Sequence, residues 1–192
     1  MRAEPTPRVA VVVPLYNKQH TIARAVASIR AQTVCDTEVI VVDDGSTDAS
    51  WARLLAAVGT DPRFRCVRQP NAGPGAARNA GARLATAPRL AFLDADDAWR
   101  PTHLERALDA MARSGVLAYV AAYDTGAHQA VQANLLQQCI AASGPWSLPA
   151  DLPPAQVKRM VDACQPGCLV IDRALFEHHG GFYDRERCTF GE

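Results

Sequence analysis

Over residues 8–113, short β-rich apolar runs alternate with stretches of helical periodicity, and no other feature constrains the fold so tightly. Val9–Val13 is a continuous run rich in β-branched residues, as a parallel strand buried on both faces requires. Ile22, Ala25, Val26 and Ile29 then recur at helical spacing. Glu38–Val42 reads as a second strand, ending in Asp43-Asp44-Gly45-Ser46, and a helix is expected over about Ala49–Val58. Phe64–Arg68 reads as a third strand, Gly75–Ala85 as an Ala-rich helix, and Leu90–Leu93 as a fourth strand ending in Asp94-Ala95-Asp96-Asp97. Thr102 and Glu105 have the spacing of a capping box for a helix reaching about Arg113. This order implies an α/β protein: a mostly parallel, Rossmann-like sheet with helices on both faces.

The second half is less regular. Val116–Tyr123 and Cys168–Ile171 read as strands, Arg173–His178 as a helix, and Gly180-Gly181-Phe182 as a turn. The Pro- and Gly-rich stretch from Ser143 to Pro154 reads as a loop or boundary. At 192 residues the chain suits one domain, and 48% apolar residues supply a core. Twenty basic residues balance twenty acidic ones, so the basic excess of a nucleic-acid binder is missing. The first apolar run is too short for a signal core, and no apolar stretch reaches membrane-spanning length. The expectation is a cytoplasmic chain without a membrane span, with peripheral contact at the inner face of the membrane left open. Six cysteines without C-x-x-C spacing argue against zinc and for burial as small apolar side chains.

In parallel sheets, ligands bind beyond the carboxyl ends of the strands, near a switch in strand order. Three polar clusters fall there: Pro14-Leu15-Tyr16-Asn17, Asp43-Asp44-Gly45-Ser46 and Asp94-Ala95-Asp96-Asp97. Alternate carboxylates such as Asp94 and Asp96 suit a hard divalent cation, Mn2+ or Mg2+; an isolated D-x-D is more often a solvated turn. Asp43 and Asp44 can accept from a base N–H or ribose hydroxyl, or serve an ordinary turn with Ser46 or Thr47 as helix cap. Tyr16 can stack on a planar base while Asn17 fixes the loop, or simply pack half-buried. Asn71-Ala72-Gly73-Pro74-Gly75 precedes a helix whose first turn holds Arg78, placed to meet a phosphate or to orient an aspartate. His178 and His179 read as a helix-end surface pair, and Trp99 and Trp146 as packed or half-packed rings.

Taken in order, Val11-Val12-Val13-Pro14-Leu15-Tyr16-Asn17, Val41-Val42-Asp43-Asp44-Gly45-Ser46-Thr47-Asp48, Asn71-Ala72-Gly73 with Ala77-Arg78-Asn79, and Phe92-Leu93-Asp94-Ala95-Asp96-Asp97 closely resemble the family-2 inverting glycosyltransferases of the GT-A fold. The resemblance covers residues 8–113 and resumes over 167–182. It implies a single GT-A domain over 1–192, with 8–113 as the nucleotide-sugar-binding half and 114–192 as a partial, truncated acceptor-side half. It implies that Pro14 and Tyr16 line the base pocket, with Asp44 on the nucleobase and Asp43 nearby. Arg78 would support the base or diphosphate region, Asp94 would lie near the ribose, and Asp96 would ligate the metal. The donor would be a nucleoside-diphosphate sugar, most often UDP-linked, and the acceptor a saccharide, lipid-linked or protein hydroxyl. The family's catalytic base is usually the Asp of an acidic pair after the Gly-Gly-Phe turn. Glu192 would be either the first half of that pair, with the base just beyond it, or the base itself. A non-catalytic nucleotide-sugar-binding fragment or module is the alternative from another class. A nucleotidyltransferase would want a Gly-rich phosphate loop after the first strand, and a dehydrogenase a G-x-G-x-x-G; this chain has neither there.

Overall fold

The computed structural model describes residues 6–121 and 165–182. The expected loop at 143–154, with Cys139, Cys164, Cys188, Trp146 and Glu192, lies outside the described residues. Strands β1 (Val9–Leu15), β2 (Thr37–Asp43), β3 (Phe64–Arg68) and β4 (Arg89–Phe92) alternate with helices α1 (Ile22–Arg30), α2 (Ser50–Val58) and α3 (Pro74–Leu84). Then come α4 (His103–Ser114), β5 (Ala118–Val120), a single 3-10 turn (Pro166–Cys168), β6 (Leu169–Asp172) and α5 (Arg173–His178). The six strands lie in the order β3-β2-β1-β4-β6-β5. The first four are mutually parallel, and β6 runs antiparallel to both β4 and β5. The chain steps outward from β1 to β3 and then returns to the other side of β1 as β4. The switch in strand order therefore lies between β1 and β4.

The alternation of β1 side chains builds two cores. Val9, Val11, Val13 and Leu15 face Ile22, Ile29, Leu54 and Leu104 of α1, α2 and α4. Ala10 and Val12 face the other way, toward Ala77 and Ala82 of α3 and Phe176 of α5. The largest of these side chains are fully buried, each worth about 1.5–3 kcal/mol relative to exposure. On the second face the helix sits close: a Cβ added at Gly81 would meet Val12 Cγ1 at 2.4 Å. Ala10, Ala77 and Gly81 are thus small because α3 lies almost directly on the sheet.

Three local expectations are corrected. Thr102 sits at the N-cap of α4 but makes no side-chain cap bond. Glu105 instead accepts from Thr33 Oγ1 at 3.0 Å, and buried Gln32 caps the helix from outside, its Oε1 accepting from Leu104 N at 3.1 Å. Neither Ser46 nor Thr47 caps α2, which begins at Ser50 behind an Asp48 turn (Asp48 Oδ1 accepts from Ser50 N at 2.9 Å). Among the described cysteines Cys168 is buried and Cys66 half-buried, but Cys35 is exposed. It lies on the loop between α1 and β2, off both core faces.

Burial holds the His103 imidazole neutral, with its pKa lowered to about 4. The ring stacks on Trp99 with centroids 4.5 Å apart and stands edge-on to Tyr119, and its buried Nε2 finds no partner among the described residues. The unfolded chain takes up this proton near 6.5, while the folded chain refuses it until about 4, so the unfolded state binds more protons across that window. Stability attributable to His103 is therefore full above the window and is lost as pH falls through it. The expected loss between pH 7 and pH 5 is about 2 kcal/mol. Urea midpoints at the two pH values should show it, and His103→Phe should flatten the difference; an equal difference in the variant would remove His103 as its source.

Candidate functional site

The strand ends near the switch carry every clustered polar motif. Asn17, just past β1, has a left-handed backbone (φ 50°), which Asn tolerates better than most residues. Its amide N–H donates to Ser46 Oγ at 3.1 Å, and its Oδ1 accepts from Thr47 N at 2.9 Å. Asn17 therefore stitches the turn after β1 to the turn after β2. Between these fixed points Tyr16 is 46% exposed, on the same edge as half-buried Pro14.

The two aspartates at the end of β2 are placed differently. Asp43 is fully buried; its Oδ1 accepts from Ser46 N at 3.0 Å and its Oδ2 from Arg68 Nε at 2.8 Å. The Arg68 guanidinium in turn lies 5.2 Å over the Trp51 ring. Asp43 supports the turn and has no surface to offer a ligand. Asp44, almost as buried, reaches the loop before α3. Its Oδ1 accepts from Gln69 Nε2 at 2.7 Å and Ala72 N at 2.9 Å, and its Oδ2 from Gly73 N at 2.8 Å. Asn71 Nδ2 donates to the Asp44 carbonyl at 3.0 Å. The second lone pair of Oδ2 retains capacity for a further donor. Gly45 permits this closeness: its φ is 74°, and a Cβ there would sit 2.9 Å from Asn71 N.

On the other side of β1, Arg78 is 9% exposed and pairs through Nη2 with Asp94 Oδ1. Its guanidinium lies 5.3 Å over the Phe182 ring, and its buried Nε has no hydrogen-bond partner among the described residues. Next to it, Asn79 fixes the Gly-Gly-Phe turn: Nδ2 donates to Phe182 O and Oδ1 accepts from Phe182 N, both at 2.8 Å. Arg78 therefore orients Asp94, one of its two sequence readings, and the later turn is pinned onto α3 beside it.

Asp96 stands two residues beyond Asp94, in the turn after β4. Lys18 Nζ donates to its Oδ2 at 2.6 Å, both side chains being a little under half exposed, and Arg24 Nη2 donates to its carbonyl. The Lys18 hydrogen bond, opposed in part by burial, holds the Asp96 carboxyl below its usual range. Asp97 is shifted the other way: loss of hydration, then the charges of Asp94 and Asp96, raise it. Trp99 Nε1 donates to Gly167 O at 2.8 Å, which brings the 3-10 turn against the acidic cluster. A Cβ at Gly167 would lie 3.1 Å from Asp97 Oδ2.

Pro14, Tyr16, Asp44, Arg78, Asp94 and Asp96 thus share one edge, with Asp43 beneath it. Lys18, Arg24 and Gly167 belong to the same place but were not singled out in the sequence. Lys18 and Arg24 look like ordinary surface cations of an amphipathic helix start, and Gly167 signals only a turn. The oxygen-only donors Asp94 and Asp96, with Asp97 crowded by negative charge, match the chemistry of a hard divalent cation. Among the described residues no group of three or more His, Cys, Asp or Glu is gathered to hold a metal ion by itself. A Mg2+-like ion commonly takes only one or two protein carboxylates and completes its shell with substrate phosphates and water. The described residues fit such an ion on those terms. His178 and His179 form the expected exposed pair at the end of α5, with ring centroids 5.1 Å apart. Among the described residues no helix is long and apolar enough to cross a membrane.

Comparison with known proteins points the same way. Succinoglycan biosynthesis protein ExoW of Rhizobium meliloti is 36% identical over 181 residues, covering 88% of this chain and 56% of that protein. Among solved structures, S. aureus TarS 1-349 in complex with UDP-GlcNAc superposes with a TM-score of 0.74 at 20% identity, covering 92% of this chain and 48% of that one. The mannosyltransferase PcManGT of Pyrobaculum calidifontis, in complex with GDP-Man and Mn2+, gives 0.66 at 23%, covering 92% and 48%. At those identities the two structures speak for the fold alone, and it is the expected GT-A architecture. The chain spans between 29% and 56% of the length of the first curated relatives it matches. The model of glycosyl transferase family 2 matches residues 10–180, and the chain belongs to that family.

Proposed function

We propose that this chain forms the donor side of a glycosyltransferase that moves a sugar, with inversion, from a nucleoside-diphosphate sugar, UDP-linked in the first instance, to a hydroxyl acceptor. One observation carries the reading: Tyr16, the Asp44-bound loop, the Arg78–Asp94 pair and Asp96 converge at the β1/β4 switch, beyond the strand ends. Family membership and the name of the relative ExoW, a succinoglycan biosynthesis protein, support this reading.

Each residue has a physical task in this reading. The exposed Tyr16 ring offers a flat face to a base, at the rim that Pro14 and Asn17 fix. Asp44 shapes the base pocket by holding residues 69–73, and its spare lone pair accepts from a base N–H. Arg78 fixes Asp94 for a ribose hydroxyl and brings positive charge toward the diphosphate. Asp96 would hold Mn2+ or Mg2+, which supplies charge neutralisation for the departing diphosphate. The acceptor hydroxyl loses its proton to a base as its oxygen attacks the anomeric carbon, and the sugar passes through an oxocarbenium-like state. Glu192, the sequence candidate for that base or its neighbour, lies outside the described residues.

Calorimetric titration of UDP, GDP, TDP and ADP, each with and without Mn2+, tests the reading. One diphosphate should bind in a metal-dependent way, and Asp96→Ala should weaken it at least ~10-fold, the scale of one lost charged ligand. Equal binding by the variant would sink Asp96 as the cation ligand; no binding of any diphosphate by the folded chain would sink the donor site.

A further inference from the structure

The cationic side chains around the acidic edge are as informative as the acids. Three carboxylates, Asp94, Asp96 and Asp97, meet three cations: Arg78 on Asp94, Lys18 on Asp96, and Arg24 on the Asp96 carbonyl. Around the turn after β4, three negative charges thus stand against three positive ones. A divalent ion arriving alone would meet an ammonium on its own carboxylate. A diphosphate arriving alone would meet three acids. The two arriving together nearly cancel each other.

Lys18 is built to respond to that difference. Its backbone is fixed: Lys18 N donates to the fully buried Ser50 Oγ at 2.7 Å, and its carbonyl accepts from Thr21 N and Ile22 N, each at 3.1 Å, at the start of α1. Its side chain, 42% exposed, crosses from the β1 side of the switch to the β4 side and ends on Asp96 Oδ2. A rigid root with a solvated, flexible stem lets the ammonium move several ångströms without disturbing the fold. A half-exposed ion pair of this kind is weak enough to exchange partners. Phosphate oxygens beside Asp96 would offer the ammonium a second, more negative acceptor within reach of the same stem.

We propose that Lys18 is an internal counter-ion to the cation-ligating oxygen of Asp96 that transfers to the diphosphate when the donor binds, so that nucleotide and divalent cation bind synergistically. The inference rests on reading Asp96 as the cation ligand. Lys18 is a positioning residue here: it acts on the cation through Asp96, and no bond of the sugar is made or broken by it.

Lys18→Met keeps the stem and removes the charge, leaving the backbone bonds of the turn in place. Mn2+ binding is read directly, by electron paramagnetic resonance of the free ion, with UDP and then GDP as nucleotide probes. Wild type, Lys18→Met, Asp96→Asn and the double variant are compared after thermal melts establish that each is folded. In the absence of nucleotide, Lys18→Met should bind Mn2+ at least ~5-fold tighter than wild type, the scale of removing one nearby like charge at a half-exposed site. That gain should vanish in the double variant, and the enhancement of Mn2+ binding by nucleotide should shrink in Lys18→Met. If Asp96→Asn weakens Mn2+ binding but Lys18→Met leaves it unchanged or weaker, the counter-ion role is wrong and the Asp96 reading survives. A gain that persists in the double variant also overturns the role. If no form binds Mn2+ with or without nucleotide, the Asp96 reading fails and the proposal with it.

Discussion

Asp44→Ala is expected to destabilise the chain by about 3 kcal/mol and to abolish nucleotide binding. The first effect follows from the bond count. The carboxylate accepts from Gln69 Nε2, Ala72 N and Gly73 N, and the last two are backbone donors in a half-buried loop. Removing the acceptor strands those N–H groups at about 1–3 kcal/mol each, less whatever water recovers. The second effect follows from geometry, because residues 69–73 lose the anchor that holds them beside Gly45. Asp44→Asn separates the two. It keeps the volume but turns an amide N–H toward donors, so part of the stability should return while nucleotide affinity stays at least ~10-fold down. Chemical denaturation and a nucleotide titration read the two effects on the same samples. A stable Asp44→Ala variant with unchanged affinity would mean that the loop is held by something other than Asp44.

Gly81→Ala should lower stability by about 2 kcal/mol, against the usual gain in helix propensity of just under 1 kcal/mol for this exchange. The added methyl would overlap Val12 Cγ1, and Val12 is fully buried in the strand at the centre of the parallel ladder. For a chain of this size the melting temperature should fall by roughly 4–8 °C. A double-mutant cycle makes the cause specific. Val12→Ala alone should also destabilise, by opening a cavity, but in the Gly81→Ala background it should cost little or even restore stability. Strict additivity of the two substitutions would contradict direct packing of α3 on β1. Since α3 also carries Arg78 and Asn79, a shifted helix would move the Arg78–Asp94 pair as well.

The two substitutions act at different levels of legibility. The apolar runs of β1 and β2 and the helical spacing of Ile22, Ala25, Val26 and Ile29 in α1 were readable because burial on a fixed face imposes a period on the sequence. The clustering of polar motifs was readable because parallel strands share one carboxyl end. Strand order beyond β4 was not: nothing local in Cys168–Ile171 says that it turns antiparallel and inserts between β4 and β5. That depends on long-range pairing. The capping box failed for the same reason, since Gln32, seventy-two residues from its partner, competes for the end of α4 better than Thr102 does. Residue chemistry alone gave Asp43 and Asp44 the same options, yet strand alternation sends Asp43 to Arg68 inside and Asp44 to the loop. Lys18 was invisible because a lysine before a helix is ordinary until its ammonium is seen on Asp96. Gly167 was invisible because a close approach across the fold leaves no mark beyond the glycine itself.

The most direct test of the proposed donor site is an amide NMR titration of the labelled chain with UDP and GDP in the presence of Mg2+. The expected result is saturable shifts confined to the β1/β4 edge: Tyr16–Lys18, Asp44–Ser46, Ala72 and Gly73, and Ala95–Asp97, with α5 and the His178–His179 end silent. Shifts centred elsewhere, or none at nucleotide concentrations that saturate a millimolar site, would contradict a nucleotide site at this edge.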